Sequence, residues 1–204
     1  MTAQALYRAY QTLADTAAQP HLKASRFAQL YWVCQIDWLL ALIKEPKSER
    51  VNRAMQPFKR VFTGAGQLIV YNQINPALLA IRSVRADFPG ERTDMPVSPI
   101  DSDELGTAQL DPFRRATDDD PKYTEESNTY LKILADSIPT AVRVSYLTYP
   151  VQLDMNGNNT PLETEIDQWA ILRRVVAEKD LIDEKYNRYQ LLANRVIPSA
   201  EQPI

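Results

Sequence analysis

Residues 156–197, NGNNTPLETEIDQWAILRRVVAEKDLIDEKYNRYQLLANRVI, decide how the chain is read. Asn156, Gly157, Asn158 and Asn159 have turn character. Thr160 then stands as an N-cap, Pro161 as a first helical residue and Glu163 as the capping-box acid three places after the cap. Ile166, Trp169, Leu172 and Val176, followed by Ile182, Tyr186, Tyr189, Ala193 and Val196, repeat at helical spacing as far as Ile197. No glycine or proline interrupts them. The expectation is one long helix, or two in line with a bend near Asp180, followed by an arm, Pro198 to Ile204, with too little apolar content to fold alone.

A long helix apolar along one stripe needs partners, and the N-terminal part of the chain supplies them. Between Thr2 and Ala17, Leu6, Tyr10 and Leu13 recur at helical spacing among alanines, and the helix should end before Pro20. Ser25 is placed to cap a second helix. There Phe27, Leu30, Tyr31, Cys34, Trp38 and Ala41 form one stripe, widened by Trp32, Ile36, Leu39 and Ile43. This reads as the central core element. Ser48 starts a shorter helix with Val51 and Met55 on one face, stopped at Pro57.

The middle of the chain has a different texture. Fourteen prolines against five glycines are gathered mainly between Pro89 and Pro161 and indicate extended connections. Strands are expected at Gln67 to Tyr71, Leu79 to Val84, Lys122 to Thr124, Tyr130 to Leu134 and Ala141 to Leu147, the last alternating Val142, Val144 and Tyr146 with Arg143 and Ser145. Asp87 to Pro121 reads as a long loop with a short helix near Ser102. The expected class is therefore α+β: a helical bundle with a long C-terminal helix, a small antiparallel β-sheet insertion and an extended C-terminal arm. Residues 1–62 and 156–197 would form the bundle, 63–155 the insertion and 198–204 the tail.

Composition narrows the function classes. Twenty-three Lys plus Arg against 26 Asp plus Glu leave a net charge of -3, so no global field draws the protein to nucleic acid or an anionic membrane. The single cysteine, Cys34, cannot form an internal disulfide and fits assembly in a reducing cytoplasm. Met1 to Ala18 lacks the charged start and apolar run of an export signal, and the apolar stretch around Leu39 to Ile43, broken by Gln35 and Asp37, is too short to span a bilayer. No membrane partner is expected.

Catalytic residue sets are scarce. His21 is the only histidine and has no cysteine beside it, which leaves little for a metal site or a Ser-His arrangement. Gly64 and Gly66 lack the lysine and helix start of a phosphate loop and suit a turn before a strand. Asp154, Asn156, Asn158 and Glu165 take the first, third, fifth and twelfth places of a calcium loop, yet Asn159 replaces its glycine and a strand precedes it. An Asx-rich turn feeding a helix is the plainer reading. Asp118, Asp119 and Asp120 read as a solvated charge run, and Asp37 as either a general acid in an apolar pocket or a residue on the wet edge of its helix. No catalytic, cofactor or metal residue is assigned.

Two proline-aromatic-basic segments remain: Phe58, Lys59 and Arg60 after Pro57, and Phe113, Arg114 and Arg115 after Pro112. Each phenylalanine is placed either to anchor a partner, with its basic pair facing an acidic surface or a DNA backbone, or to fill the protein's own core.

The order of elements resembles the head-to-tail connector proteins, also called adaptor or neck-ring proteins, of tailed double-stranded DNA bacteriophages. The resemblance is carried by Val142 to Leu147, the Tyr149-Pro150 pair, Pro161 and the helix closing with Tyr186, Tyr189 and Leu192. Arg26 to Phe58 and the stretch Asp111 to Thr124 add to it. It implies a structural, non-enzymatic virion protein of the neck, assembled in the host cytoplasm as a ring commonly of about twelve copies. Such a ring joins the portal protein to further neck or tail proteins and lets genomic DNA pass without reading its sequence. It also implies that the tail, Pro198 to Ile204, docks on the portal. A calcium-binding or other protein-interaction module is the alternative.

Overall fold

The computed structural model describes residues 1–16, 22–111, 114–126 and 129–196, with side chains as far as residue 182. Among these, five α-helices form: α1 (Ala3–Thr16), α2 (Ala24–Lys44), α3 (Glu49–Met55), α4 (Leu105–Leu110) and α5 (Glu165–Val196). Seven strands form as well: β1 (Lys59–Gly64), β2 (Leu68–Val70), β3 (Leu78–Asp87), β4 (Met95–Pro99), β5 (Lys122–Glu126), β6 (Tyr130–Leu134) and β7 (Ala141–Thr148). The chain divides into two units, one taking Met1–Ala54 with Pro150–Ile204 and the other Met55–Tyr149.

In the helical unit, α1 buries Ala3, Leu6, Tyr10 and Ala14, a three-four-four spacing that keeps one face inward. Phe27 of α2 packs its ring against Tyr7, Tyr10 and Tyr31 at centroid distances of 5.3, 5.0 and 5.8 Å. Leu153, Ile171, Leu172 and Val175 complete this core. Of the two helix starts expected at serines, one differs and one holds. Lys23, not Ser25, holds the cap position of α2 and makes no side-chain cap bond, whereas Ser48 does accept the Val51 N–H at 3.2 Å at the start of α3.

The sheet unit corrects the expected fold class. A small antiparallel insertion in a helical bundle is not what forms: the sheet has seven strands, in the order β1-β7-β3-β4-β5-β6-β2. It is also mixed, because β4 pairs β5 in parallel through Ser98↔Lys122 and Pro99↔Tyr123 while every other ladder is antiparallel. The sheet nearly closes on itself. β1 and β2 are its two ends, yet they are joined only by residues 65–67, which reach about 14 Å at full stretch, so the first and last strands must curl towards each other. Gly66, at φ +87°, makes that connection and donates its N–H to Pro139 O at 3.2 Å.

Strands β1 and β4, outside the expected set, are what enlarge the sheet. Lys59–Gly64 pairs with β7 over its whole length, from Lys59↔Leu147 to Gly64↔Val142. The expected boundary at 62/63 therefore falls inside a strand. β4, within the stretch read as a loop, pairs with β3 through Val84↔Val97. Proline at positions 96 and 99 disguised it, although Pro is tolerated in a short strand where the N–H is not needed by the ladder. Inside the sheet lie Ile69, Val84, Ala86, Val97, Leu131, Ile133, Val142, Val144 and Tyr146, contributed by alternate positions of β2, β3, β4, β6 and β7.

Candidate functional site

The segment before α5 is fastened from within, and that fastening sets which side of the helix faces out. Glu163 is 4% exposed. Its Oε1 accepts the Tyr31 hydroxyl at 2.5 Å and its Oε2 accepts Gln35 Nε2 at 2.6 Å. Burial raises its pKa above the ordinary glutamate value, the Tyr31 and Gln35 hydrogen bonds oppose that shift, and the charge of Asp167 adds to it. Glu163 is thus a tie to α2 and not the capping-box acid of a helix beginning at Pro161. The helix starts later, with Thr164 as its cap: Thr164 Oγ1 receives the Asp167 N–H at 3.4 Å and donates to Asp167 Oδ2 at 2.5 Å.

Asp167 and Gln168 turn inward as a result, and Gln168 Nε2 donates to Glu163 O at 3.0 Å. With about 3.6 residues per turn, burying Asp167, Gln168, Ile171, Leu172 and Val175 obliges Ile166, Trp169, Ala170 and Arg173 to face outward. Ile166 is 80% exposed, Trp169 37% and Leu162 44%. The sequence expectation puts Ile166 and Trp169 on the buried stripe with Leu172 and Val176; the buried stripe runs instead through Gln168, Ile171, Leu172 and Val175, which also repeats at helical intervals of three and four.

Ile166 borders two open depressions. One, of about 480 Å³, lies between Glu49, Arg50, Arg53 and Ala54 of α3 and Thr164, Ile166 and Asp167. The other, of about 540 Å³, spreads over Ile166, Trp169, Ala170 and Arg173. Together they form a groove with an apolar centre and an arginine-rich rim, which suits contact with another protein surface. On α2, Val33 and Leu40 are also exposed, one heptad apart, and Val33 edges a depression of about 410 Å³ with Arg26, Gln29, Leu30, Trp32 and Gln152.

The residues singled out from sequence fall into several places. Phe58 is fully buried and so has no surface to offer a partner. Lys59 and Arg60 open β1, and the Arg60 guanidinium bends back to Pro57 O and Lys59 O at 2.9 and 2.7 Å. Arg114 and Arg115 are exposed and pair with Glu104 and Asp136 at 3.1 and 2.5 Å. His21, Pro112, Phe113 and the tail from Pro198 to Ile204 lie outside the described residues.

The remaining acidic candidates are engaged locally. Asp37 forms an ion pair with Arg174 of α5 at 3.2 Å and is half-exposed, the wet-edge arrangement. Asp118 is 6% exposed, so the aspartate run is not wholly solvated; hydrogen bonds from Ser137 hold its carboxyl below the usual range against the effect of burial, with Arg92 assisting. In the calcium-like loop, Asp154 Oδ1 accepts the Asn156 N–H at 2.9 Å, Asn158 Oδ1 the Gln4 N–H at 2.9 Å and Asn159 Oδ1 the Asp154 N–H at 2.7 Å. The first is a turn-forming Asx bond, the second ties the loop to the start of α1 and the third closes the loop on itself. Among the described residues no three His, Cys, Asp or Glu side chains gather as a metal site, and no helix is long and apolar enough to cross a membrane.

Comparison with known protein families finds none that matches the chain, and comparison with curated proteins finds no relative.

Proposed function

We propose that this chain is a structural, self-assembling protein of a phage virion neck, a ring component that joins portal to tail and lets DNA through without turning over a substrate. The reading rests on the pattern-level resemblance and on one observation: Ile166 and Trp169 lie outward on α5 while Asp167 and Gln168 are buried beside them. An apolar centre exposed by a polar fastening beneath it is a surface made for burial against another molecule.

A closed ring needs two different faces on each subunit. Exposed apolar residues occur on two different helices of the helical unit, Ile166 and Trp169 on α5 and Val33 and Leu40 on α2. The occupant proposed for the α5 groove is a sister copy of the chain, and residues 198–204 are the proposed contact with the portal.

Light scattering and negative-stain electron microscopy of the full chain test this reading. Rings, or ordered oligomers that come apart on Ile166→Asp, support it; a strictly monomeric protein that is also absent from virions ends it. Removing residues 198–204 should weaken attachment to a portal while leaving circular dichroism and melting near normal.

A further inference from the structure

Outside the proposed assembly groove, the sheet unit carries a second concave site with a different chemistry. A depression of about 370 Å³ is lined by residues of β5, β6 and α4 together with Gln67, Ile100 and residues 114–116. Four basic side chains line it, Arg114, Arg115, Lys122 and Lys132, against one carboxylate, Asp136. They come from three separate stretches of chain. Lys132 alternates with inward-facing Leu131 and Ile133 on β6 and is thereby held outward.

The four cations are not equally committed. Arg114 and Arg115 have acidic partners, but both ion pairs are more than two-fifths exposed on each side, where such pairs contribute little and reorganise readily. Lys122 is 16% exposed, donates to Arg114 O at 2.8 Å and stands 3.6 Å from Asp120, so it is fixed in place. The Lys132 side chain has no hydrogen-bond or ion-pair partner among the described residues. The site thus has one pre-positioned cation, one uncommitted cation and two arginines whose planar forks suit phosphate oxygens.

The lining is not only charged. Ile100, Leu105, Ala108 and Leu134 give it an aliphatic floor, and Gln67 and Gln109 add side-chain amides to the lining. That combination fits a ligand with an anionic end, a flat apolar body and hydrogen-bonding edges. Its volume lies in the range for a small-molecule site. We infer that this depression binds a nucleoside phosphate: the phosphate against Lys122, Lys132 and the two arginines, and the base over the Ile100–Leu105–Ala108 floor with the Gln67 and Gln109 amides at its rim.

The same chemistry is presented by a free nucleotide and by an unpaired nucleotide of single-stranded DNA. Isothermal titration of the full chain with adenosine monophosphate, with a mixed-sequence single-stranded oligonucleotide and with inorganic phosphate separates these sources. Binding of adenosine monophosphate or the oligonucleotide is expected, weakening as salt is raised and falling about tenfold or more in Lys132→Glu and in Arg115→Glu. Circular dichroism of both exposed-site variants should match the parent. The tighter of the two nucleotide probes identifies the source.

Three results overturn the inference: no heat from either nucleotide probe at millimolar concentration, unchanged affinity in both variants, or inorganic phosphate binding as tightly as the nucleotides. The first two remove the site and the third removes the nucleoside. None of them bears on assembly, because these residues belong to the sheet unit and the assembly groove to the helical one.

Discussion

The Tyr31 hydroxyl donates to Glu163 Oε1 at 2.5 Å, joining residues 132 positions apart inside the helical unit. Gln35 supplies the second donor, and its own Oε1 is buried without a partner among the described residues. A buried carboxylate held by side-chain donors beside the like charge of Asp167 is sensitive to its protonation state.

Stability should respond to pH through Glu163. Its pKa is raised in the folded protein, so the native state holds the proton more tightly than the unfolded chain, whose glutamates titrate near about 4.3. This contribution is fully present below that value and is lost as pH rises through the folded value. Glu163→Gln should flatten that part of the curve, the variant gaining on the parent as pH increases. Glu163→Ala should instead cost about 1–3 kcal/mol for each donor left unsatisfied. Urea unfolding at a series of pH values from about 4.3 upward reads both effects.

Asp118 should act in the opposite direction. Hydrogen bonds from Ser137, with Arg92 alongside, hold its pKa below the ordinary aspartate value of about 3.9. Its contribution is present above that value and lost as pH falls through the folded one. Asp118→Ala should cost about 1–3 kcal/mol near neutrality by stranding the Ser137 N–H, and should shrink the loss of stability on acidification. Equilibrium denaturation at neutral and acid pH checks this.

Cys34 is expected to be inert in the native protein. It is 1% exposed, and burial, reinforced by the charges of Glu178 and Asp37 and opposed by that of Arg174, pushes its thiol up to about 11. A maleimide or disulfide reagent should label it only as fast as the fold opens, whereas the denatured chain should label completely. Rapid labelling under native conditions would show that the α2–α5 packing is looser than described.

On α5, function and stability should separate. Ile166→Ser removes a side chain that is 80% exposed, so the unfolding free energy of the subunit should stay within about 0.5 kcal/mol, while Trp169→Ala, at 37% exposure, should cost somewhat more. Oligomers, read by light scattering, should disperse. A large fall in stability with unchanged assembly would place these residues in the core.

Leu131 provides the contrast in the sheet unit. It is fully buried on β6, paired with Ile69 and Glu125 on its two sides. Leu131→Ala should cost about 2–5 kcal/mol, measured by urea unfolding.

Much of the local structure was legible in the order of residues. Leu6 and Tyr10 marked the inward face of α1, and alternation of Val142, Val144 and Tyr146 with Arg143 and Ser145 marked β7. Short-range geometry repeats within a few residues, so its signal is local. Strands β1 and β4 escaped notice for a physical reason: Lys59–Gly64 is an end strand with a mixed burial pattern, and Met95–Pro99 is short and carries two prolines. Of the site residues, Arg114 and Arg115 were recognised as surface cations, but their convergence with Lys122 and Lys132 depends on strands being laid side by side.

The sequence alone determined that residues 165–196 could be helical, because their backbone preferences act over a few residues. It did not determine which side of that helix would be hidden, since Ile166–Trp169–Leu172–Val176 and Gln168–Ile171–Leu172–Val175 are both helical stripes sharing Leu172. Only the tertiary structure decided between them. Tyr31 and Gln35 of α2 fix Glu163, Glu163 and Thr164 turn Asp167 and Gln168 inward, and Ile166 is left to the surface. The sheet follows the same rule: strand preference is local, but near-closure of seven strands comes from pairings between distant residues joined at their ends by a three-residue turn.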